Sequence, residues 1–299
     1  MWWRSPAAAD KRHRELLHRA ALCRTAPASN ICAGDSGIPV AETLARLGQM
    51  RQTPGNKTSN AEVGGSPLAH AARVRRWSAA VVVANVVFVA AWLLAASWQG
   101  PHYSVIAHSI SDMYAYGAPG AAFLIVVITL CGATVLCFAW RALWPSLRQA
   151  GRLAVAGVAL LAASIYGLGD LLTPFEREAC RLADRGCTFS AQVANTGGLL
   201  DLVLSTAGLV ALVVAGFLLA TAMARLPEWR GWVRPTHWVT VVIVVLLAAN
   251  GLSGPAGLGG LFERLLAAAG AAAIAALGTG VWRRARPAIA VVPQVPTQV

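Results

Sequence analysis

Charge is scarce in this chain. Only 13% of its 299 residues are Asp, Glu, Lys or Arg, about half the share of a typical soluble domain, and this excludes an ordinary water-facing globule. Lysine is rarer still. Lys11 and Lys57 both lie in the first fifth of the sequence and none follows, so Schiff-base chemistry is excluded from everything downstream. Neither Gly-x-x-x-x-Gly-Lys nor Gly-x-Ser-x-Gly occurs, which removes the phosphate-cradling loop and the nucleophile elbow. His108 lies in a loop and His237 at the end of an apolar run, while the other histidines are in tails or loops. A haem held between facing helices would need histidines at matching depth, so no cofactor is implied.

What is abundant is apolar surface, at 57% hydrophobic residues and a mean hydropathy of +0.57. Six stretches approach the roughly 17–25 residues needed to cross a bilayer: Trp77–Trp98, Ala118–Trp140, Leu153–Leu172, Gly197–Met223, Thr236–Leu252 and Leu265–Trp282. Their apolar residues are continuous rather than alternating, which favours helices over barrel strands. The expected fold is an all-α integral membrane bundle of six transmembrane helices spanning residues 75–286. Residues 1–74 read as a disordered basic tail, rich in Pro, Gly and Ser, and residues 287–299 as a C-terminal tail. Residues 1–49 lack a secretory leader and read as an over-called start, with Met50 as an internal initiator.

The net charge of +12 divides into +7 over residues 1–76 and +5 over the remainder. No zinc-finger, RNA-binding or basic-zipper pattern accompanies it, so it does not read as a nucleic-acid footprint. The arginines instead cluster at alternate ends of the spans: Arg73, Arg75 and Arg76, then Arg141, Arg148 and Arg152, then Arg225, Arg230 and Arg234, then Arg283, Arg284 and Arg286. Cytoplasmic flanks retain such an excess, so both termini of a multi-pass cell-membrane protein are expected in the cytoplasm, with membrane lipid as its partner. Trp77, Trp98, Trp140, Trp229, Trp232, Trp238 and Trp282 fall where an aromatic belt is expected. Small residues at helical spacing, Gly208, Ala211 and Ala215 and again Ala271, Ala275 and Gly278, point to close helix contacts within the bundle or between copies of the chain. Asn85 reads as an interhelical hydrogen bonder.

The first outward loop is the most distinctive segment. It carries Ser109-Ile110-Ser111-Asp112 followed by Gly117 and Pro119, and Gly260 precedes Arg264 at the start of the last span. These residues resemble the family of unknown function numbered 998, a group of six-span prokaryotic membrane proteins, over about residues 75–286. The loop is also similar to that of Frag1/DRAM-type six-span proteins. The resemblance implies architecture and a place in the bacterial plasma membrane, but no reaction. Relatives often carry a histidine at the outer end of the fourth span, where this chain has Asn195, Gly197, Gly198 and Asp201.

The acids of the spans share one depth. Asp112 precedes the second span, Asp170 ends the third, Asp201 lies one turn into the fourth, and Glu263 and Arg264 open the sixth. Brought together in a bundle, His108, Asp112, Asp170, Asp201 and Arg264 are the candidate site, for three alternative roles. Arg264 pairs with one or two of the aspartates and closes the bundle. His108 with paired carboxylates performs acid/base chemistry on a lipid head group of the outer leaflet, as a hydrolase or transferase. Or the acids bind a small ion or proton for transport or sensing. His108 and Asp112 supply two metal ligands without a third, so no metal is assigned. Cys180 and Cys187 in the second outward loop are candidates for a disulfide, whereas Cys131 and Cys137 read as apolar core and Cys23 and Cys32 as tail thiols.

Overall fold

The computed structural model describes residues 67–285. The assignments made for the tails, including Met50, Cys23, Cys32, Lys11 and Lys57, lie outside these residues. Among the described residues the fold is all α with no strand. Its longer helices are α1 (Pro67–Ala96), α2 (Ala121–Phe138), α3 (Arg152–Ala163), α4 (Thr196–Ala224), α5 (Arg230–Ser253) and α6 (Gly259–Arg284), with short helical turns between them. Five helices are long and apolar enough to cross a membrane, and a sixth span arises if α3 is joined to the bent segment Ile165–Phe175 after it. α1 packs on α2, α3 on α4, α4 on α5 and α5 on α6, α2 packs on the third span through the segment after Ser164, and α6 closes on α1, giving a ring. The connections 97–120, 173–195 and 254–258 gather at one end, here termed the loop face. The start of α1 and the end of α6 lie at the opposite, terminal face.

Several sequence boundaries shift. α1 begins at Pro67, so residues 67–74, assigned to the tail, are helical. α5 begins at Arg230, and Pro235 sits inside it near its start, where the lost backbone donor is tolerated more readily than in mid-helix. α2 runs on through a π-helical turn, Ala139–Leu143, before Gly151 reverses the chain at a φ of +77°.

The largest departure from a straight rod is in the third span. Its helix stops at Ser164, whose backbone is extended, and resumes through a π-turn, Ile165–Gly169, with a bend of 42°. Two glycines let neighbours close on the break. A methyl group at Gly132 of α2 would strike Leu171 N, Gly167 O and Asp170 Cβ, and one at Gly208 of α4 would strike the backbone of Ile165. The small-residue positions Gly208 and Gly278 are thus spent inside the bundle, the latter against Ser78 and Val81 of α1.

Two polar expectations are corrected by local geometry. Asn85 donates to Val81 O at 2.8 Å on its own helix, because a carbonyl one turn back is always within reach of its amide. Trp229 is 1% exposed and carries the Arg284 guanidinium 3.8 Å from its ring centre, which makes it core rather than belt.

Candidate functional site

The first connection folds back over the start of α6. Leu261 N donates to Ile106 O at 2.9 Å, and Gly260 leaves room for the backbone of His108 to lie directly against it. One turn later, the buried Arg264 gathers what that close approach leaves unpaired. Its Nη1 donates to Val105 O (2.8 Å), His108 O (2.7 Å) and Gly260 O (2.9 Å), and its Nη2 to Tyr103 Oη. The rings of Trp92 and Tyr103 each lie 5.8 Å from the guanidinium carbon. Guanidinium geometry suits this fan of acceptors, which a lysine could not match. The expected pairing of Arg264 with Asp112, Asp170 or Asp201 does not form. Among the described residues the ion pair is Arg181 with Asp184, at 3.6 Å.

Each residue of Ser109-Ile110-Ser111-Asp112 is engaged. Ser109 Oγ accepts from Asp112 N at 3.1 Å and shares a hydrogen bond with Ser111 Oγ at 2.9 Å. Ile110 N donates to Glu263 Oε1 at 3.0 Å, and Ser111 Oγ donates to Glu178 Oε1 at 2.9 Å. Asp112, fully buried, accepts from Leu182 N and, at 3.4 Å, from Ala183 N. Leu182 and Ala183 lie in the short loop that the structure closes by joining Cys180 to Cys187, with Cα atoms 6.0 Å apart. The segment is therefore a junction between α6 and the second connection.

His108 and Asp112 are not a shared helical face. Ser111–Met113 forms a single 3-10 turn, and His108 lies before it with Nδ1 accepting from Ser104 N at 2.9 Å. Neither side chain points its hydrogen bonds at the other.

The second connection supplies groups that the sequence did not single out. Arg177 donates to Tyr114 O and Ala115 O, both at 3.1 Å, and stacks on Tyr116. Arg181 Nη2 donates to Gln99 O at 3.0 Å. Glu178 accepts from Gln192 Nε2 at 2.7 Å as well as from Ser111. Burial, and then the charge of Asp201, push the Glu178 carboxyl up to about 8. Burial also raises Asp112, against the opposing pull of the Leu182 and Ala183 N–H groups. Tyr103 rises to about 12 through burial, with Arg264 opposing.

A second set of acids is differently placed. Asp201 accepts from Tyr114 Oη at 3.0 Å. Glu176, 5% exposed, has its Oε1 buried with no hydrogen-bond partner. Its carboxyl is pushed up to about 8, first by burial and then by the charge of Asp201. Asp170, 8% exposed, sits at the bend of the third span within electrostatic reach of Glu176. Glu176 and Glu178 flank Arg177 in sequence, and such an alternation of charge resembles a solvated loop; only their burial distinguishes them. Among the described residues, no group of three or more His, Cys, Asp or Glu side chains converges as a metal site.

Comparison with curated proteins and with solved structures returns no match in either. A family model described as Protein of unknown function (DUF998) matches residues 82–280, a stretch from the middle of α1 to the last turns of α6 that includes the whole loop junction. With the apolar helices and the match extending over most of the chain, the protein is a membrane protein and belongs to that family.

Proposed function

We propose that this is a multi-pass membrane protein whose Asp170, Glu176 and Asp201 bind a proton, and that it acts as a proton transporter or sensor. One observation carries the reading. Glu176 is buried beside other acids with an oxygen that nothing in the described fold satisfies. A buried carboxylate without a counter-ion is costly, whereas its protonated form needs no cation. The bend of the third span supports the same reading, because a broken helix next to an acid is a common way to expose polar backbone at an ion site. Lipid chemistry finds less support, because His108, Asp112 and Arg264 are occupied with backbone atoms.

The test is proton movement in sealed vesicles reconstituted with the full chain and loaded with a pH-reporting dye. The expected result is dissipation of an imposed pH gradient that is lost in Glu176→Gln and retained in Glu228→Gln, a carboxylate of the terminal face. A sensor gives no flux but a pH-dependent change in protease protection of the loop face, also lost in Glu176→Gln. If neither readout responds to Glu176→Gln in a variant that still folds, the reading fails.

A further inference from the structure

At the terminal face, an open recess of about 370 Å³ is lined by Arg73, Arg76, Trp77 and Ala80 of α1 and by Arg141. Arg73 and Arg76 are three residues apart and so share one side of α1. Arg141 comes from the facing span, at the middle of the π-turn Ala139–Leu143, a local widening of the helix often found where a side chain is aimed at a function. Among the described residues no acid lines the recess. Three other arginines of the same face are engaged, Arg75 over the Trp282 ring at 5.2 Å, Arg225 with Ala150 O at 3.4 Å, and Arg284 with Glu228 O at 2.7 Å, whereas Arg148 is exposed outside the recess. Arg73, Arg76 and Arg141 carry no such contact among the described residues. Three guanidinium groups that repel one another thus converge from two spans on one recess.

We propose that Arg73, Arg76 and Arg141 bind the phosphate of an anionic phospholipid, with Trp77 and Ala80 against the first carbons of its chains. Charge complementarity supplies the first half of this assignment. Guanidinium groups match phosphate oxygens with paired, charge-assisted hydrogen bonds. Position supplies the second. Trp77 and Ala80 continue the recess along α1 into its apolar window, so the ligand that fits has a charged head and an apolar continuation, and an indole is suited to that boundary. The site lies at the opposite end of the bundle from the acid cluster and does not rest on the proton reading.

The experiment is thermal unfolding of the detergent-purified full chain, titrated with phosphatidylglycerol, with phosphatidylcholine, or with inorganic phosphate at matched ionic strength. Phosphatidylglycerol is expected to raise the melting temperature saturably, with the other two giving little. Arg141→Gln and the double variant Arg73→Gln/Arg76→Gln should each weaken the apparent affinity at least about tenfold, and Arg141→Lys should weaken it by less. Arg148→Gln, an exposed arginine of the same face outside the recess, should leave it within about twofold. Equal weakening by Arg148→Gln would mean diffuse charge attraction and overturn the site. Equal stabilisation by phosphatidylcholine or by inorganic phosphate would overturn the assignment to an anionic lipid. Should a glutamine variant not fold, counting lipids retained by Arg141→Lys in native mass spectrometry decides the same point.

Discussion

The two halves of the acid cluster at the loop face are built from the same residue types but solved differently. Asp112, Glu178 and Glu263 have backbone or side-chain donors and join separate connections. Glu176 has an oxygen with no donor, and it is surrounded by other acids. Burial raises the carboxyls of Asp112, Glu176 and Glu178 alike, so elevation alone does not mark a functional group. What separates the halves is whether ionisation is useful to the fold. For Asp112 the charged form holds two N–H groups; for Glu176 it holds nothing.

That contrast can be broken from the tied side first. Arg264→Ala leaves two loop carbonyls, the Gly260 carbonyl of α6 and the Tyr103 hydroxyl without the guanidinium donor, and a loss of about 3–5 kcal/mol is expected, read by thermal unfolding in detergent. Arg264→Lys should recover only part of it, because an ammonium cannot span the acceptors. Asp112→Ala strands Leu182 N and Ala183 N and should cost about 2–3 kcal/mol by the same assay, with protease sensitivity appearing first between Cys180 and Cys187. Replacing Cys180 and Cys187 together by Ser should cost about 2 kcal/mol, on the entropy of closing so short a loop.

The untied side is expected to respond with the opposite sign and a smaller amplitude. Glu176 has a folded-state value near 8 against an ordinary 4.5, so the folded chain keeps a proton that the unfolded chain releases. Its destabilising effect is absent below about pH 4.5, grows as pH rises through the interval to about 8, and is constant above that. Glu176→Gln should therefore leave the melting temperature unchanged at acid pH. At about pH 9 it should raise it by about 2–4 °C, corresponding to about 1 kcal/mol. A variant less stable than wild type at alkaline pH would show that the Glu176 charge is paired after all.

Much of the architecture was legible in the sequence because bilayer physics leaves few choices. Continuous apolar runs without alternation force helices, and the expected spans overlap those observed. The break at Ser164 was not legible, because no proline marks it; it depends on Gly132 and Gly208 letting neighbouring backbones approach. The site was half legible. Depth along the spans brought Asp112, Asp170, Asp201 and Arg264 to one end of the bundle. The partners were not readable, since an arginine among acids looks like half of an ion pair. Here the folded-back loop brought two carbonyls, of Val105 and His108, into hydrogen-bond reach of Arg264, and no carboxylate. Glu176 and Glu178 escaped notice because burial of a charged loop is a tertiary property.

The division of the cluster is tested most directly by infrared titration of the protonated carboxyl band, comparing wild type with Glu176→Gln between about pH 5 and about pH 10. The account expects carboxyl absorption that persists at neutral pH and disappears around 8, with a distinct share of it missing in Glu176→Gln. A band of unchanged amplitude and midpoint in the variant would contradict it.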